Sequence, residues 1–296
     1  MKILLFEVCI LMFKKFIIIY SLIILSIFSK AQAVDLNKIA SDKISEYISN
    51  LVPGEGLTEI SINLREHSKP NFNILGTREI QKTDNGNYFM QFSLFSHEQN
   101  NDERYTGNLG LGKRILSDDK SIITGFNTFL DRDDNGNTRA SLGGELKGAV
   151  LELTSNYYKG IGNGTDEKVL DGYDFQLTSQ LPYLHWANVF INSYKWKGVD
   201  RDDLEGLKYG SEIHLSSNLN LELAYDDKDK EGLDDDWYAK IALVHPPRQG
   251  STIKDGVGAE MWADKKDMSG ELLSKVKRQN IIMVEFKGSS TISRTD

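Results

Sequence analysis

The sequence predicts an all-β fold: a transmembrane, antiparallel, up-and-down β-barrel of about 12 strands, with a short N-terminal helix. Three observations predict it. Segments of two-residue period carry apolar residues on one face and charges on the other. The connections between them alternate between short and long. Tyrosines and a tryptophan gather at segment ends on the apolar parity. Composition agrees: 40% apolar residues are too many for a disordered chain, and a mean hydropathy of −0.39 is too polar for a bundle of membrane helices. A net charge of −8 argues against nucleic acid as a partner, because neutralising phosphates needs a basic face.

Residues 16–28, FIIIYSLIILSIF, form an apolar run behind Lys14 and Lys15 and ahead of Ala31-Gln32-Ala33. Charge, apolar run and small residues in that order make a secretory signal peptide, with cleavage expected after Ala33, and the run is short of the ~20 residues a membrane span needs. The stretch from Met1 is unusual ahead of such a run and makes Met12 an alternative start. The single cysteine, Cys9, leaves with this leader, so a mature chain has no disulfide and depends on packing and strand pairing. Over 34–52, Leu36, Ile39, Ala40, Ile44, Tyr47, Ile48 and Leu51 recur at helical spacing until Pro53-Gly54, giving a short periplasmic helix and lead-in over 34–56.

From 57 the period is two. Ile60, Ile62 and Leu64 oppose Glu59, Ser61, Asn63 and Arg65; Leu109, Leu111 and Ile115 oppose Thr106, Asn108 and Arg114. Ala140, Leu142 and Leu146 oppose Arg139, Ser141, Glu145 and Lys147, and Tyr173, Phe175 and Leu177 oppose Asp174, Gln176 and Thr178. Leu207, Tyr209 and Ile213 oppose Lys208, Glu212 and His214, while Leu221, Leu223 and Tyr225 oppose Asn220, Glu222 and Asp226. Less regular strands near 72–80, 88–97, 121–131, 149–158, 187–196 and 237–244 bring the barrel, over 57–244, to twelve. Between Ile191 and Tyr194 the apolar parity slips, which predicts a bulge.

The turns 117–120, 147–148, 182–186 and 216–218 are short, with 81–86 the longer exception, while 131–137, 159–172, 197–205 and 227–236 are long and acidic. Short turns on one rim and long polar loops on the other is the asymmetry of an outer-membrane barrel whose short side is periplasmic. Alternation alone does not say which face is inside, because a soluble β fold would bury the apolar face and leave the charges in water. Aromatic placement decides it: the apolar face meets lipid and the charges line a lumen. Tyr105, Tyr157, Tyr173, Tyr209, Tyr225 and Trp237 then fall where interfacial girdles sit. The predicted lumen set is Arg65, Arg114, Arg139, Glu145, Lys147, Glu152, Asn156, Asp174, Lys208, Glu212 and Glu222, which could hydrogen-bond a threaded segment or, in an empty pore, conduct small ions.

The blocks RYTGNLGLGKR (Arg104 to Arg114), GFNTFLDRD (Gly125 to Asp133), Arg139 through Gly143-Gly144-Glu145, and Ser155-Asn156-Tyr157-Tyr158 resemble the β-domain of the intimin and invasin proteins, the inverse autotransporters. Gly172-Tyr173-Asp174, Gln180-Leu181-Pro182 and the run from Lys277 to Lys287 fit the same pattern. The resemblance implies an outer-membrane barrel whose C-terminal linker passes back through the pore and carries a passenger to the cell surface. On it, 245–296 is a pore-threading linker and tail, with a short helix over 271–278 and an extended stretch over 281–286. Lys275, Lys277, Arg278 and Asn280 line up in the pore, and the basic residues oppose carboxylates such as Glu145 and Glu152. The chain ends at Asp296, so no immunoglobulin-like or lectin-like passenger is expected on it, nor the peptidoglycan-binding module of some members upstream. Implied partners are outer-membrane lipid, the barrel assembly machinery, periplasmic chaperones and a passenger on a separate chain. The implied location is the outer membrane of a Gram-negative bacterium. The alternative reading is a small porin-like channel whose tail stays in the periplasm.

Asp131-Arg132-Asp133-Asp134-Asn135-Gly136 begins like a calcium loop, but its twelfth position is Leu142 rather than a bidentate Glu, which favours a solvated hairpin tip. Asp227, Asp229 and Glu231 read the same way. His67, His97, His185, His214 and His245 are scattered without zinc spacing. His97, near Glu98 and Asp102, is the one candidate for rim catalysis. No nucleophile elbow, P-loop or dinucleotide fingerprint occurs, so neither enzyme activity, a metal nor a cofactor is expected.

Overall fold

A computed structural model of the protein describes residues 54–66, 68–99, 102–229, 235–263 and 267–286. Contacts divide the chain into units 1–47 and 48–296, and every described residue belongs to the second. The expected signal peptide, the helix over 34–52, His67, Glu231 and residues from 287 onward lie outside the described residues.

In chain order the strands are β1 Gly56–Arg65, β2 Asn71–Thr83, β3 Gly86–Gln99, β4 Asp102–Leu116, β5 Ile122–Asp133, β6 Thr138–Gly148, β7 Leu151–Gly162, β8 Glu167–Val169, β9 Asp171–Leu181, β10 Leu184–Lys197, β11 Leu204–His214, β12 Leu219–Asp229, β13 Asp236–His245 and β14 Val284–Phe286. All but β8 and β14 pair with their chain neighbours into one closed antiparallel barrel of twelve strands, sealed where β1 meets β13 from Thr58↔His245 to Arg65↔Tyr238. β8 and β14 make a separate two-stranded ribbon.

Alternation puts the two chemistries on opposite sides. Phe126 and Leu142 on the outer face are 61% and 65% exposed, while Arg114 and Arg139 on the inner face are 0% exposed. This is a barrel with its apolar surface outward, the arrangement lipid requires, and closure leaves no unpaired strand edge in the hydrocarbon. Tyr157 pairs across from Tyr173, and Tyr209, Tyr225 and Trp237 lie side by side in register, which groups the outward aromatics near the long-loop ends of their strands.

Two local expectations change. The parity slip in β10 is no bulge, because its register with β9 is unbroken from Asn188↔Gln180 to Lys197↔Asp171. Phe190, Tyr194 and Trp196 instead face inward, and the irregularity lies earlier, between Leu184 and Asn188. The exceptional length of 81–86 also disappears, since β2 and β3 run to Thr83 and Gly86 and leave only Asp84-Asn85 as the turn.

After β13 the chain crosses the short-turn rim, where the Arg248 N–H reaches the carbonyl of Ser217 and the Gly258 N–H that of Tyr183. It then enters the barrel. The Met268 N–H donates to the carbonyl of Lys120 in the β4–β5 turn, and the Met268 side chain packs on Leu116 and Ile123. At the far rim it forms β14, paired with β8 in the long connection between β7 and β9.

Candidate functional site

The inner wall and the segment 267–286 form the site. A single 3₁₀ turn, Met268–Glu271, opens the segment, with the Asp267 carboxylate accepting from the Ser269 N–H at 2.8 Å. The helix expected over 271–278 is absent, and the bonding explains why. The carbonyl of Leu272 accepts from Arg114 and Asn87, that of Ser274 from Arg114, and that of Lys275 from Lys147. Farther along, Asn156 donates to the carbonyl of Lys277, Asn108 to that of Asn280, and Arg139 to those of Gln279 and Ile281. Two N–H groups are also taken, Val276 by the Gln91 side chain at 2.8 Å and Gln279 by the Tyr158 hydroxyl at 2.7 Å. A helix would spend these groups on itself; the barrel wall supplies their partners instead.

Small residues make that wall deep enough. A Cβ on Gly110 or Gly112 would sit 2.3 Å from the ring of Phe129 or Phe89, so only glycine lets those inward rings lie against β4. The rings then seat cations: the Arg114 guanidinium stands 4.3 Å over Phe89, Arg278 of the linker 4.2 Å over Phe129, and Arg139 4.5 Å over Tyr158.

Ion pairs fix the linker side chains. Arg278 bonds both carboxylate oxygens of Asp131, at 2.9 and 2.7 Å, and the Ser141 hydroxyl, while Arg139 reaches the same carboxylate at 2.9 Å. Lys277 bridges Glu152 at 3.0 Å and Glu212 at 3.1 Å. Lys275 meets Glu59 at 2.8 Å, and Glu59 also holds Lys240 at 2.7 Å. Of the two opposing carboxylates expected, Glu152 pairs with the linker and Glu145 does not: its oxygens are held by Arg114 at 2.5 Å and Lys147 at 3.1 Å, which in turn bond linker carbonyls.

The remaining predicted residues brace the wall. Asp174 accepts from Asn156 at 2.8 Å and from the Tyr158 hydroxyl at 2.6 Å, Lys208 is 3.8 Å from Asp226, Arg65 is 3.1 Å from Asp236, and Glu222 accepts from the Tyr238 hydroxyl. The Asn280 side-chain oxygen is 3.4 Å from Arg278. Glu59, Gln91, Asp131 and Tyr158 were not in the predicted set. Asp131 corrects the reading of 131–136 as a hairpin tip: β5 continues through Asp133, and Asp131 is wholly buried on its inner face. The parity of Asn127, Phe129 and Asp131 carries that signal.

At the long-loop rim the linker is clamped. The Leu170 N–H donates to the carbonyl of Met283 at 2.9 Å, and the buried Glu285 carboxylate accepts from the N–H groups of Val199 and Asp200 and lies 3.7 Å from Arg201. Arg104 holds Glu167 of β8 with two bonds of 2.8 Å. Toward the short-turn rim, between the linker and the β11–β13 wall, a cavity of about 1060 Å³ is lined by Glu59, Glu212, His214, Glu222, Lys240 and Arg248. A second, of about 160 Å³, is lined by Asp174, Asn192, Lys208 and Tyr238.

His97 is buried with its ring 3.3 Å from the Gln99 side chain, while Glu98 accepts from the Lys69 N–H, so the structure does not bring His97 and Glu98 together. Among the described residues no group of three or more His, Cys, Asp or Glu side chains is placed to hold a metal ion.

No curated protein matches the sequence. A solved structure described as "Unveiling the Mechanism Behind the in-meso Crystallization of Membrane Proteins" is similar at a TM-score of 0.62 and 16% identity, covering 78% of this chain and 100% of its own, which speaks to the fold alone. The KdgM porin is similar at 0.46 and 7% identity, over 63% of this chain and 98% of its own, and the NanC porin at 0.44 and 11%, over 63% and 98%. The model of the inverse autotransporter β-domain matches residues 27–280. With a twelve-stranded barrel and that match over most of its length, the chain belongs to the inverse autotransporter β-domain family, a family of outer-membrane β-barrels.

Proposed function

We propose that the protein is an outer-membrane translocator and anchor: a barrel that has drawn its own C-terminal segment through its pore, carries the residues beyond 286 to the cell surface, and is closed by that segment. The observation that carries the reading is the bonding of 272–281, in which seven backbone carbonyls accept from inner-wall side chains. Main-chain bonds of this kind hold an extended segment whatever its side chains, which suits a pore that other sequence must first pass. The ion pairs of Lys275, Lys277 and Arg278 then fix where the passage stops. In this reading the short turns face the periplasm, export begins with a cleaved signal peptide in a Gram-negative bacterium, and periplasmic chaperones and the barrel assembly machinery deliver the chain. The passenger is the segment beyond 286 or a separate chain that it docks.

Two measurements test this. A peptide tag placed after Asp296 should be labelled by antibody on intact cells. Deleting residues 271–296 should raise single-channel conductance in a planar bilayer severalfold by unblocking the lumen. A tag reached only after the outer membrane is broken, together with unchanged conductance, would favour the porin-like alternative with a periplasmic tail.

A further inference from the structure

The chain between β13 and the pore does more than connect them. On the outward rows of β10 to β13, Val189, Ile191 and Ile241 are 38%, 43% and 45% exposed, as lipid-facing residues of an isolated barrel should be. Toward the short-turn rim the same outward parity is covered: Ala187, Ile213 and Leu221 are only 2%, 5% and 9% exposed. Trp186 and, from beyond the barrel, Ile253 pack on them, so residues around the 3₁₀ turn Ile253–Asp255 lie against the outside of the barrel wall.

Hydrogen bonds tie this strap to the β9–β10 turn. The Trp186 indole N–H donates to the carbonyl of Gly256 at 2.7 Å, the Tyr183 N–H to that of Met261 at 2.8 Å, and the Gly258 N–H to that of Tyr183 at 2.7 Å. The His185 ring lies 3.0 Å from the carbonyl of Glu260. Held this way, the strap turns apolar side chains outward: Val257, Met261 and Trp262 are exposed, with Tyr183 beside them. Lys254, Asp255 and Glu260 are exposed among them. Short apolar anchors with a Trp and a Tyr, interleaved with charges and continuous with a lipid-facing wall, match the chemistry of a bilayer's headgroup boundary.

We infer that residues 252–262 are an interfacial strap, lying in the headgroup layer of the membrane with Val257, Met261 and Trp262 against lipid. The strap fixes the point from which the linker turns into the lumen, because the Ala263 N–H already donates to Gln180 on the inner face of β9. Which leaflet holds the strap rests on the function proposed above; its contact with lipid does not.

The test uses the full chain carrying Cys9→Ser and Val257→Cys with a nitroxide label, folded into nanodiscs of phosphatidylethanolamine and phosphatidylglycerol at one barrel per disc. Labels at Ile241→Cys on the outer wall and Asp118→Cys in a short turn serve as lipid and water references. Collision of the 257 label with a water-soluble nickel chelate should be several-fold below that at 118, and its collision with oxygen should approach that at 241. Trp262→Cys should behave alike. Chelate collisions at 257 and 262 equal to those at 118, in chains whose heat-modifiable migration shows a folded barrel, would overturn the inference. So would shielding that appears only in discs loaded with two barrels, which would assign the strap to a second copy. Tag exposure after Asp296 is read in the same variants, so failure of the strap and failure of the export reading are told apart.

Discussion

The two sides of the lumen hold the linker by different physics. From β3, β4, β6 and β7, Asn87, Gln91, Asn108, Arg114, Arg139, Lys147, Asn156 and Tyr158 bond its main chain directly, and these groups are largely buried. From β1 and β11, the contacts are Glu59 to Lys275 and Glu212 to Lys277, beside a cavity of about 1060 Å³ that these residues line. The first wall reads mainly backbone, with Glu152 and Ser141 adding side-chain contacts to Lys277 and Arg278; the second reads charge. Buried charge-assisted bonds in a dry environment are strong and weakly screened, whereas ion pairs beside a wide cavity are weak and screened by salt. Asp131 belongs to the first wall but joins both modes, because one carboxylate receives the wall's Arg139 and the linker's Arg278.

Neutralising that carboxylate should therefore have the largest effect. Asp131→Asn keeps the shape and leaves two buried guanidinium groups facing each other without their shared anion. The expected loss is roughly 3–5 kcal/mol, the usual cost of breaking a buried pair from one side. It is read as a lower urea midpoint for the barrel in detergent and as frequent channel openings in a bilayer. An unfolding midpoint and conductance like the parent's would break the distinction between the walls at its strongest point.

Next comes Arg114→Met, which leaves the Leu272 carbonyl with Asn87 alone, removes the donor to Ser274 and leaves Glu145 with Lys147 alone. Bonds to a charged group contribute about 1.5–3 kcal/mol each, less what relaxation recovers. The entry half of the linker, 272–276, should lose protection from hydrogen exchange while 283–286, held by β8 and Glu285, keeps it. Equal loss at both ends would mean that the linker is released as one unit and that the wall does not grip it locally.

The barrel was legible because two-residue alternation writes both faces of every strand into the sequence, and the strand ends fell close to the predicted ones. The misreadings share a cause. Asp131 sits in a stretch composed like a hairpin tip, and its assignment to the wall depends on two arginines, one of them 147 residues downstream. The linker has residues suited to a helix, but the partners of its carbonyls lie more than a hundred residues upstream, beyond any local pattern. Phe190, Tyr194 and Trp196 confused the parity of β10 because they are apolar residues of the lumen, where Trp196 packs with Tyr158, Leu170 and Met283 behind the linker's exit. Parity separates lipid from lumen only where the lumen is polar.

The smallest expected effect sharpens the contrast most. In a Lys275→Met, Lys277→Met variant the main-chain bonds of the first wall are untouched, and the lost ion pairs face the cavity. Each pair should be worth no more than about 1 kcal/mol, near the upper end for partly hydrated pairs, because two of the three carboxylates left behind keep other partners and the third, Glu212, lines the cavity. Glu59 retains Lys240 and Glu152 retains Lys147. The informative quantity is the dependence on salt. For the parent chain, raising ionic strength should increase the rate of channel openings, since the Debye length shrinks from about 10 Å at 0.1 M to about 3 Å at 1 M. The double variant should open more often at low salt and lose most of that dependence. Arg114→Met, by contrast, should keep it, because its missing bonds were screened little to begin with. If the double variant and Arg114→Met respond to salt alike, the two walls hold the linker by one mechanism, and the wider cavity along the second wall has no consequence for how firmly the pore is closed.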